Sequence, residues 1–192
     1  LMQREMTDPR LGFATVTLNS GSVVEIFFSG GADGDTLRNT ASDVTIQFWG
    51  DDGGDALINS GSVLDLIFTG GADGDLLVNV DAAEVSRLIF HGDDGADALV
   101  NSGSVLDLIF TGGSDDDLLV NTTRGAIVRL VFNGDDGADS LVNSGSVIDL
   151  IFTGGADGDR LRNTSDGLRS LTFYGGGSPD NPMGKYKIEL TL

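Results

Sequence analysis

The chain has 192 residues, a formal net charge of −19 and no cysteine. So strong a negative charge argues against nucleic acid and anionic membranes as partners, because both attract basic surfaces, and the lack of cysteine excludes a disulfide framework. The apolar share of 40% argues against a disordered acidic tail, and no apolar run reaches the roughly twenty residues of a membrane-spanning helix, so we expect no membrane insertion.

The chain begins with a polar segment, Leu1 to Arg10, that we expect to fray. An alternating stretch at 12–19 (GFATVTLN) follows and has the pattern of a strand. At the other end, the repeats give way to a proline-containing loop and a closing strand at 185–192 (KYKIELTL). We therefore predict an N-terminal segment with a capping strand at 1–18, repeats at 19–174 and a C-terminal cap at 175–192.

The repeats are marked by an aromatic residue before each glycine-rich loop. These residues are Phe28, Phe48, Phe68, Phe90, Phe110, Phe132, Phe152 and Phe173, spaced by 20, 20, 22, 20, 22, 20 and 21 residues. A unit of this size cannot close its own core and must stack on its neighbours. The expected fold is all-β: a single-domain parallel β-solenoid of the β-roll or β-helix type, with about eight coils of 20–22 residues and capping strands at both ends.

Each unit contains a long strand with period-two alternation, such as VLDLIF at 63–68, and a short strand of the form D-x-L-x-N. In the long strand we predict that Leu64, Leu66 and Phe68 point inward. The predicted inward equivalents of Leu64 are Val24, Val44, Leu106, Val128 and Ile148. The leucine of the short strand closes the core, and its copies are Leu37, Leu57, Leu77, Leu99, Leu119, Leu141 and Leu161.

Two polar ladders are predicted along the stack. The short strand ends in Asn39, Asn59, Asn79, Asn101, Asn121, Asn143 and Asn163, whose amides can bond one another and the turn backbone. On the outer face of the long strand, acidic and basic residues alternate from unit to unit: Asp65, Arg87, Asp107, Arg129 and Asp149. Pairing along this ladder would hold the coils in register.

Two apolar rows are expected to flank the charged ladder on the same outer face. One row is Val63, Val85, Val105, Ile127 and Val147, and the other is Ile67, Ile89, Ile109, Val131 and Ile151. Rows of exposed apolar side chains favour self-association or a covering protein partner. Ordinary β-propensity on a narrow face is the alternative explanation.

The loops after the long strands are the candidate binding elements. They read GGADGD at 30–35, 70–75 and 154–159, GDDGGD at 50–55, GDDGAD at 92–97 and 134–139, and GGSDDD at 112–117. Each is followed by x-L-x, and the whole resembles the RTX calcium-binding nonapeptide, G-G-x-G-x-D-x-U-x. The match is incomplete, because a coil here carries one such loop rather than two, and Asp33, Asp73 and Asp157 fall where the family has glycine.

The resemblance implies that several Ca²⁺ ions bind along one edge of the stack. The family's metal-binding aspartate corresponds to Asp35, Asp55, Asp75, Asp97, Asp117, Asp139 and Asp159. The third-position residues Asp52, Asp94 and Asp136 would contribute mainly backbone carbonyls. Glycine-permitted turns and carboxylate oxygens suit a hard cation, although aspartate and glycine also form ordinary turns.

We therefore expect a non-enzymatic calcium-binding module that acts as a structural or adhesive spacer. The resemblance further implies a secreted or cell-surface bacterial protein of which this chain is a part. A metal-independent module that self-associates or binds another protein is the alternative. A polysaccharide-acting β-helix enzyme is disfavoured, because repeated carboxylates lack the unique surroundings that separate the pKa values of an acid and a base.

Overall fold

The structure, a computed structural model, describes residues 3–6, 15–18, 25–165, 167–175 and 187–190. It confirms the predicted parallel β-solenoid. Eighteen strands in these ranges alternate along the chain between two parallel sheets of nine strands each. A coil of the solenoid therefore consists of one long strand, one loop, one short strand and one turn.

The first sheet holds the long strands. They are β1 (Gln3–Met6), β3 (Glu25–Gly31), β5 (Val44–Asp52), β7 (Ser62–Ala72), β9 (Glu84–Asp94), β11 (Ser104–Ser114), β13 (Ala126–Asp135), β15 (Ser146–Gly155) and β17 (Ser170–Tyr174). The second sheet holds the short strands. They are β2 (Thr15–Leu18), β4 (Thr36–Asn39), β6 (Ala56–Asn59), β8 (Leu76–Asn79), β10 (Ala98–Asn101), β12 (Leu118–Asn121), β14 (Ser140–Asn143), β16 (Arg160–Asn163) and β18 (Lys187–Leu190).

Both ends of the stack carry additional strands. β1, in the segment that we expected to fray, pairs in parallel with β3. β18 lies within the predicted closing strand and pairs with β16. The predicted inward position of Val24 lies outside the described residues, and the predicted domain boundaries stay predictions.

The core is a thin apolar layer between the two sheets, built from identical rows. The phenylalanines before the loops form a continuous stack, with ring centroids 4.7 to 4.9 Å apart from Phe48 to Phe152. This distance is close to the spacing between neighbouring strands, so each ring lies directly over the next. The leucines of the short strands close the core from the other side, and all seven have no exposed surface.

Four long strands, β7, β11, β13 and β15, each differ from the prediction at one position, whereas Val44 of β5 is buried as predicted. Leu64, Leu106 and Val128 are 53%, 60% and 42% exposed, so the prediction that they point inward is wrong, and Ile148 likewise lies only partly buried on the outer face. The inward place belongs to the preceding residue, and its row is buried: Val63, Val85, Val105, Ile127 and Val147.

A break in the strand alternation causes this difference. In β7 two consecutive residues, Leu64 and Asp65, both point outward, whereas Val44 and Ile46 of β5 keep strict alternation. The two strands pair with a register irregularity at this point, as expected where one strand contains an extra residue. Because residues 63 and 64 are both apolar, a period-two pattern alone could not distinguish the inward one.

Candidate cation-binding edge

The seven loops share one backbone conformation despite their two sequence types. The second loop residue has a positive φ in every coil: Gly31, Asp51, Gly71, Asp93, Gly113, Asp135 and Gly155. So does the fourth: Asp33, Gly53, Asp73, Gly95, Asp115, Gly137 and Asp157. These two places coincide with the glycines at positions two and four of the nonapeptide motif, and aspartate can occupy them because it tolerates the left-handed region.

Glycine and aspartate alternate in both columns for a steric reason. A Cβ added to Gly71 would lie 2.1 Å from the carbonyl oxygen of Asp51 in the preceding coil, and a Cβ on Gly53 would lie 2.5 Å from the carbonyl carbon of Asp33. An aspartate therefore cannot follow an aspartate in the same column. This packing requires glycine in at least every second coil of each column, which the two alternating loop types provide, and it permits Asp33, Asp73 and Asp157 where the nonapeptide motif has glycine.

The sixth-position aspartates do not lie on the outside of the loop. Asp75, Leu77 and Asn79 all point inward from the short strand, since they are two residues apart. The whole row is at most 2% exposed: Asp35, Asp55, Asp75, Asp97, Asp117, Asp139 and Asp159. This row, which we call the aspartate ladder, lines the corner of the core between the loop and the short strand.

The six aspartates from Asp55 to Asp159 each use one carboxylate oxygen to hold the preceding coil. Oδ1 of Asp97 accepts a hydrogen bond from the backbone N–H of Asp75 at 2.7 Å, and the N–H of Asp97 donates to Oδ1 of Asp117 at 2.8 Å. The same contact links the other coils at 2.5 to 3.1 Å. The aspartate ladder is thus a direct bridge between the backbones of successive coils.

The second carboxylate oxygen lacks such a partner. Oδ2 is buried without a hydrogen bond in Asp55, Asp75, Asp97, Asp117 and Asp139. It packs against the first glycine of its own loop, where a Cβ on Gly70 would come within 1.9 Å of Oδ2 of Asp75 and 2.8 Å of the carbonyl oxygen of Gly92. Only glycine leaves room for the carboxylate, and a backbone carbonyl from the next coil converges on the same point.

Burial makes these carboxylates hard to ionise. Desolvation raises the pKa of Asp97 to about 8, and the charges that act on it belong to Asp117, Asp75 and Asp93. Desolvation likewise raises the pKa of the other four, Asp55, Asp75, Asp117 and Asp139, to about 7. In each case the hydrogen bond from the preceding coil's N–H lowers the pKa and offsets desolvation only in part.

The third-position aspartates are separate from the ladder. Asp52, Asp94 and Asp136 are exposed on the outer surface of the loops. Oδ1 of Asp94 accepts a hydrogen bond from the hydroxyl of Ser114 at 3.3 Å. No group of three or more His, Cys, Asp or Glu side chains that could hold a metal ion occurs in the described part of the chain. A cation at this edge would thus need backbone carbonyls as additional ligands.

The asparagines form a second internal ladder at the opposite corner. Their amides bond one another in sequence from Asn39 to Asn163 at 2.6 to 2.9 Å. Asn59 also binds its own turn, donating to the carbonyl of Gly61 and accepting from the N–H of Gly61, both at 3.2 Å. All seven asparagines are buried, and their hydrogen bonds hold the turns in stack.

The charged outer ladder lies in register across five coils, from Asp65 to Asp149. Arg87 is 3.3 Å from Asp65, and Arg129 is 2.7 Å from Asp107, so each arginine contacts the acid of the preceding coil. Ile67 and its equivalents also lie on this face, most of them half-buried. The valine row predicted beside the ladder lies in the core instead, and Leu64, Ser86, Leu106, Val128 and Ile148 take its place.

The two parallel sheets, the repeated coils and the internal ladders define a parallel β-solenoid repeat protein. Comparison of the chain with protein-family models, with curated proteins and with solved structures gives no match. In the described ranges, no helix has the length and apolar character that a membrane span requires. The loop edge, with its row of buried carboxylates, is the strongest candidate for a functional site.

Proposed function

We propose that this chain is a rod-like structural spacer whose loop edge binds calcium along the aspartate ladder. The observation that carries the proposal is the buried Oδ2 of five successive coils, which has no hydrogen-bond partner. An unpaired buried carboxylate is costly unless a proton or a cation neutralises it. A file of such oxygens beside backbone carbonyls has the chemistry of a site for a hard cation.

The ligands of this site would be the seven aspartates of the ladder together with loop carbonyls. Bound calcium would supply the positive charge that neutralises the buried carboxylates. The loop backbone supports the same conclusion, because its two left-handed positions match the glycines of the calcium-binding nonapeptide. Neutralisation would also reduce the repulsion among the acidic residues crowded on this edge.

A calcium-stabilised rod suits an exported or cell-surface protein, where free calcium is plentiful. Nine strands per sheet at about 4.8 Å give a length of roughly 40 Å. The repetition of every candidate site argues for a structural role, since no coil has a set of neighbours that would distinguish a catalytic centre. We therefore propose a non-enzymatic spacer or adhesive segment outside the cell.

The test is thermal unfolding followed by circular dichroism at neutral pH, in excess chelator and during a calcium titration. A site held at 100 times its Kd adds about 2.7 kcal/mol, or about 5 to 10 °C in a chain of this size. We expect a large rise in Tm with calcium, and a bound-ion count above one by calorimetry. Magnesium serves as the control cation.

Two variants of one loop locate the effect. Asp97→Asn removes a carboxylate from the ladder, and Asp94→Asn removes the same charge from the exposed surface three residues away. We expect the first to lose bound calcium and part of the calcium-dependent rise in Tm, while the second keeps both. Identical melts of the parent chain with and without calcium would overturn the proposal.

A further inference from the structure

The negative charge of the chain is concentrated on one edge, which leaves another surface nearly neutral. Eighteen of the thirty acidic residues lie in the seven loops. By contrast, the charged outer ladder carries three acids and two arginines over five coils. Residues beside and within this ladder form the outer face, which we define by three rows that begin at Leu64, Asp65 and Ile67 in β7.

The outer face exposes an apolar ridge in the row that begins at Leu64. Leu64, Leu106 and Val128 are 53%, 60% and 42% exposed. Between Leu64 and Leu106 the row contains the small residue Ser86, which leaves a gap in the ridge. A groove of about 440 Å³ runs beside the ridge. Large exposed apolar residues arranged contiguously are typical of contact surfaces.

The alternation of charge makes this face complementary to itself in one orientation. A twofold axis parallel to the strands places each row against the same row of a second copy. The strands of the two copies then point the same way, and the coils follow one another in opposite order along the stack. When the axis passes between the coils of Arg87 and Asp107, Arg87 of each copy faces Asp107 of the other. Asp65 then faces Arg129 of the second copy. An axis through a coil would instead oppose like charges.

The same axis position also matches the apolar ridge. Leu106 of one copy faces the gap at Ser86 of the other, and Leu64 faces Val128. We propose that the outer face binds a second copy of this chain, antiparallel and centred between the coils of Arg87 and Asp107. Charge sign requires the axis to lie between two coils, and the fit of Leu106 against the gap at Ser86 places it between the coils of Arg87 and Asp107.

The size of the contact sets the expected strength. Five coils at about 4.8 Å and a width of about six residues at 3.3 Å give an area of roughly 500 Å² on each copy. A total of about 1,000 Å² is at the low end for specific interfaces. We expect a dimer that dissociates in the micromolar range. The acidic edges of the two copies lie on the same side of the dimer and repel each other. Added salt screens this repulsion as well as the attraction across the contact, so it should not weaken the dimer sharply.

The first experiment is sedimentation velocity of the full chain over a concentration series, in buffer where circular dichroism shows it folded. Arg129→Asp would place an acidic side chain opposite Asp65 of the second copy and should raise the dimer Kd about tenfold or more. The matched control is Arg124→Asp, which makes the same charge change in a residue that pairs with Asp81 at a turn. It should change the Kd less than about twofold.

A second experiment tests the register and does not depend on the charge variants. Because the chain has no cysteine, Leu64→Cys and Val128→Cys proteins can be mixed and treated with a short bis-maleimide. In the proposed dimer these two residues face each other, whereas two copies of either residue lie three coils apart along the stack, about 14 Å at about 4.8 Å per coil. Cross-linked dimer should form in the mixture and not in either protein alone. A monomer at every concentration, equal Kd values for the two arginine variants, or cross-links chiefly between identical positions would each overturn the proposal.

Discussion

The aspartate ladder predicts that the metal-free protein becomes more stable when the solution is acidified. In the folded chain the pKa values of five ladder aspartates lie at about 7 to 8, above the ordinary value of 3.8. The folded state therefore binds protons that the unfolded state has released. This contribution is complete below about pH 3.8 and is lost as the pH rises through 7 to 8.

The magnitude follows from the number of protons taken up on folding. Each carboxyl that is protonated when folded and ionised when unfolded contributes about 1.4 kcal/mol per pH unit. For Asp97, with a pKa raised from 3.8 to about 8, the contribution reaches about 6 kcal/mol as an upper bound. Neighbouring ladder positions interact and titrate as a set, so the slope of stability against pH counts the protons of the whole ladder.

The assay is urea unfolding followed by circular dichroism in excess chelator, at several pH values between about 5 and 8. Asp97→Asn keeps an acceptor for the N–H of Asp75 but removes one titrating group, so the slope should decrease by about 1.4 kcal/mol per pH unit. Asp94→Asn, exposed in the same loop, should leave the slope unchanged. Stability that falls from pH 7 to pH 5, or equal slopes for the parent and Asp97→Asn, would refute the reasoning.

Calcium should oppose the gain in stability on acidification, because the ions bind the deprotonated ladder. The calcium-induced rise in Tm should therefore grow between about pH 5 and pH 8. Gly70→Ala places a Cβ 1.9 Å from Oδ2 of Asp75 and should lower the free energy of unfolding in urea by about 3 kcal/mol. Its control is Gly167→Ala, whose Cβ would have its nearest neighbour at 3.6 Å and which should change that free energy by less than about 0.5 kcal/mol. Asn101→Ala leaves a buried donor and a buried acceptor unpaired in the neighbouring coils and should cost about 2 to 4 kcal/mol by the same measurement. Phe110→Ala opens the phenylalanine stack between two rings that each lie 4.8 Å away and should cost about 3 to 5 kcal/mol. A loss below about 1 kcal/mol for Gly70→Ala, Asn101→Ala or Phe110→Ala would contradict the packing of the core.

The repeat period predicted the architecture because it is a property of the chain alone. Copies of one unit must stack in register, and the structure places Phe110 against Phe90 and Phe132 as that period requires. The inward face of the long strand was less accessible to sequence reasoning. Val63 and Leu64 are both apolar, and the extra residue that decides between them appears only when β7 pairs with β5.

The candidate site shows the same division. The positions of the loop aspartates and their recurrence are evident in the sequence, and their resemblance to a calcium motif predicted ligands along one edge without saying which of them are buried. Asp97 shares the phase of the inward Leu99, two residues later, and this signal in the sequence could have placed it inside. What the sequence does not contain is the hydrogen bond from Asp75, which joins residues 22 positions apart.

By itself, the sequence determined that this protein is a stack of β coils with an acidic loop in each, because periodicity, turn residues and strand alternation are local properties. Only the tertiary structure decided which aspartates are buried and which are exposed. It also showed why two loop types alternate, since a Cβ on Gly71 collides with the backbone of Asp51 only when the two coils are stacked. Burial, steric exclusion and unpaired carboxylate oxygens arise between coils, and contacts between coils exist only in the folded stack.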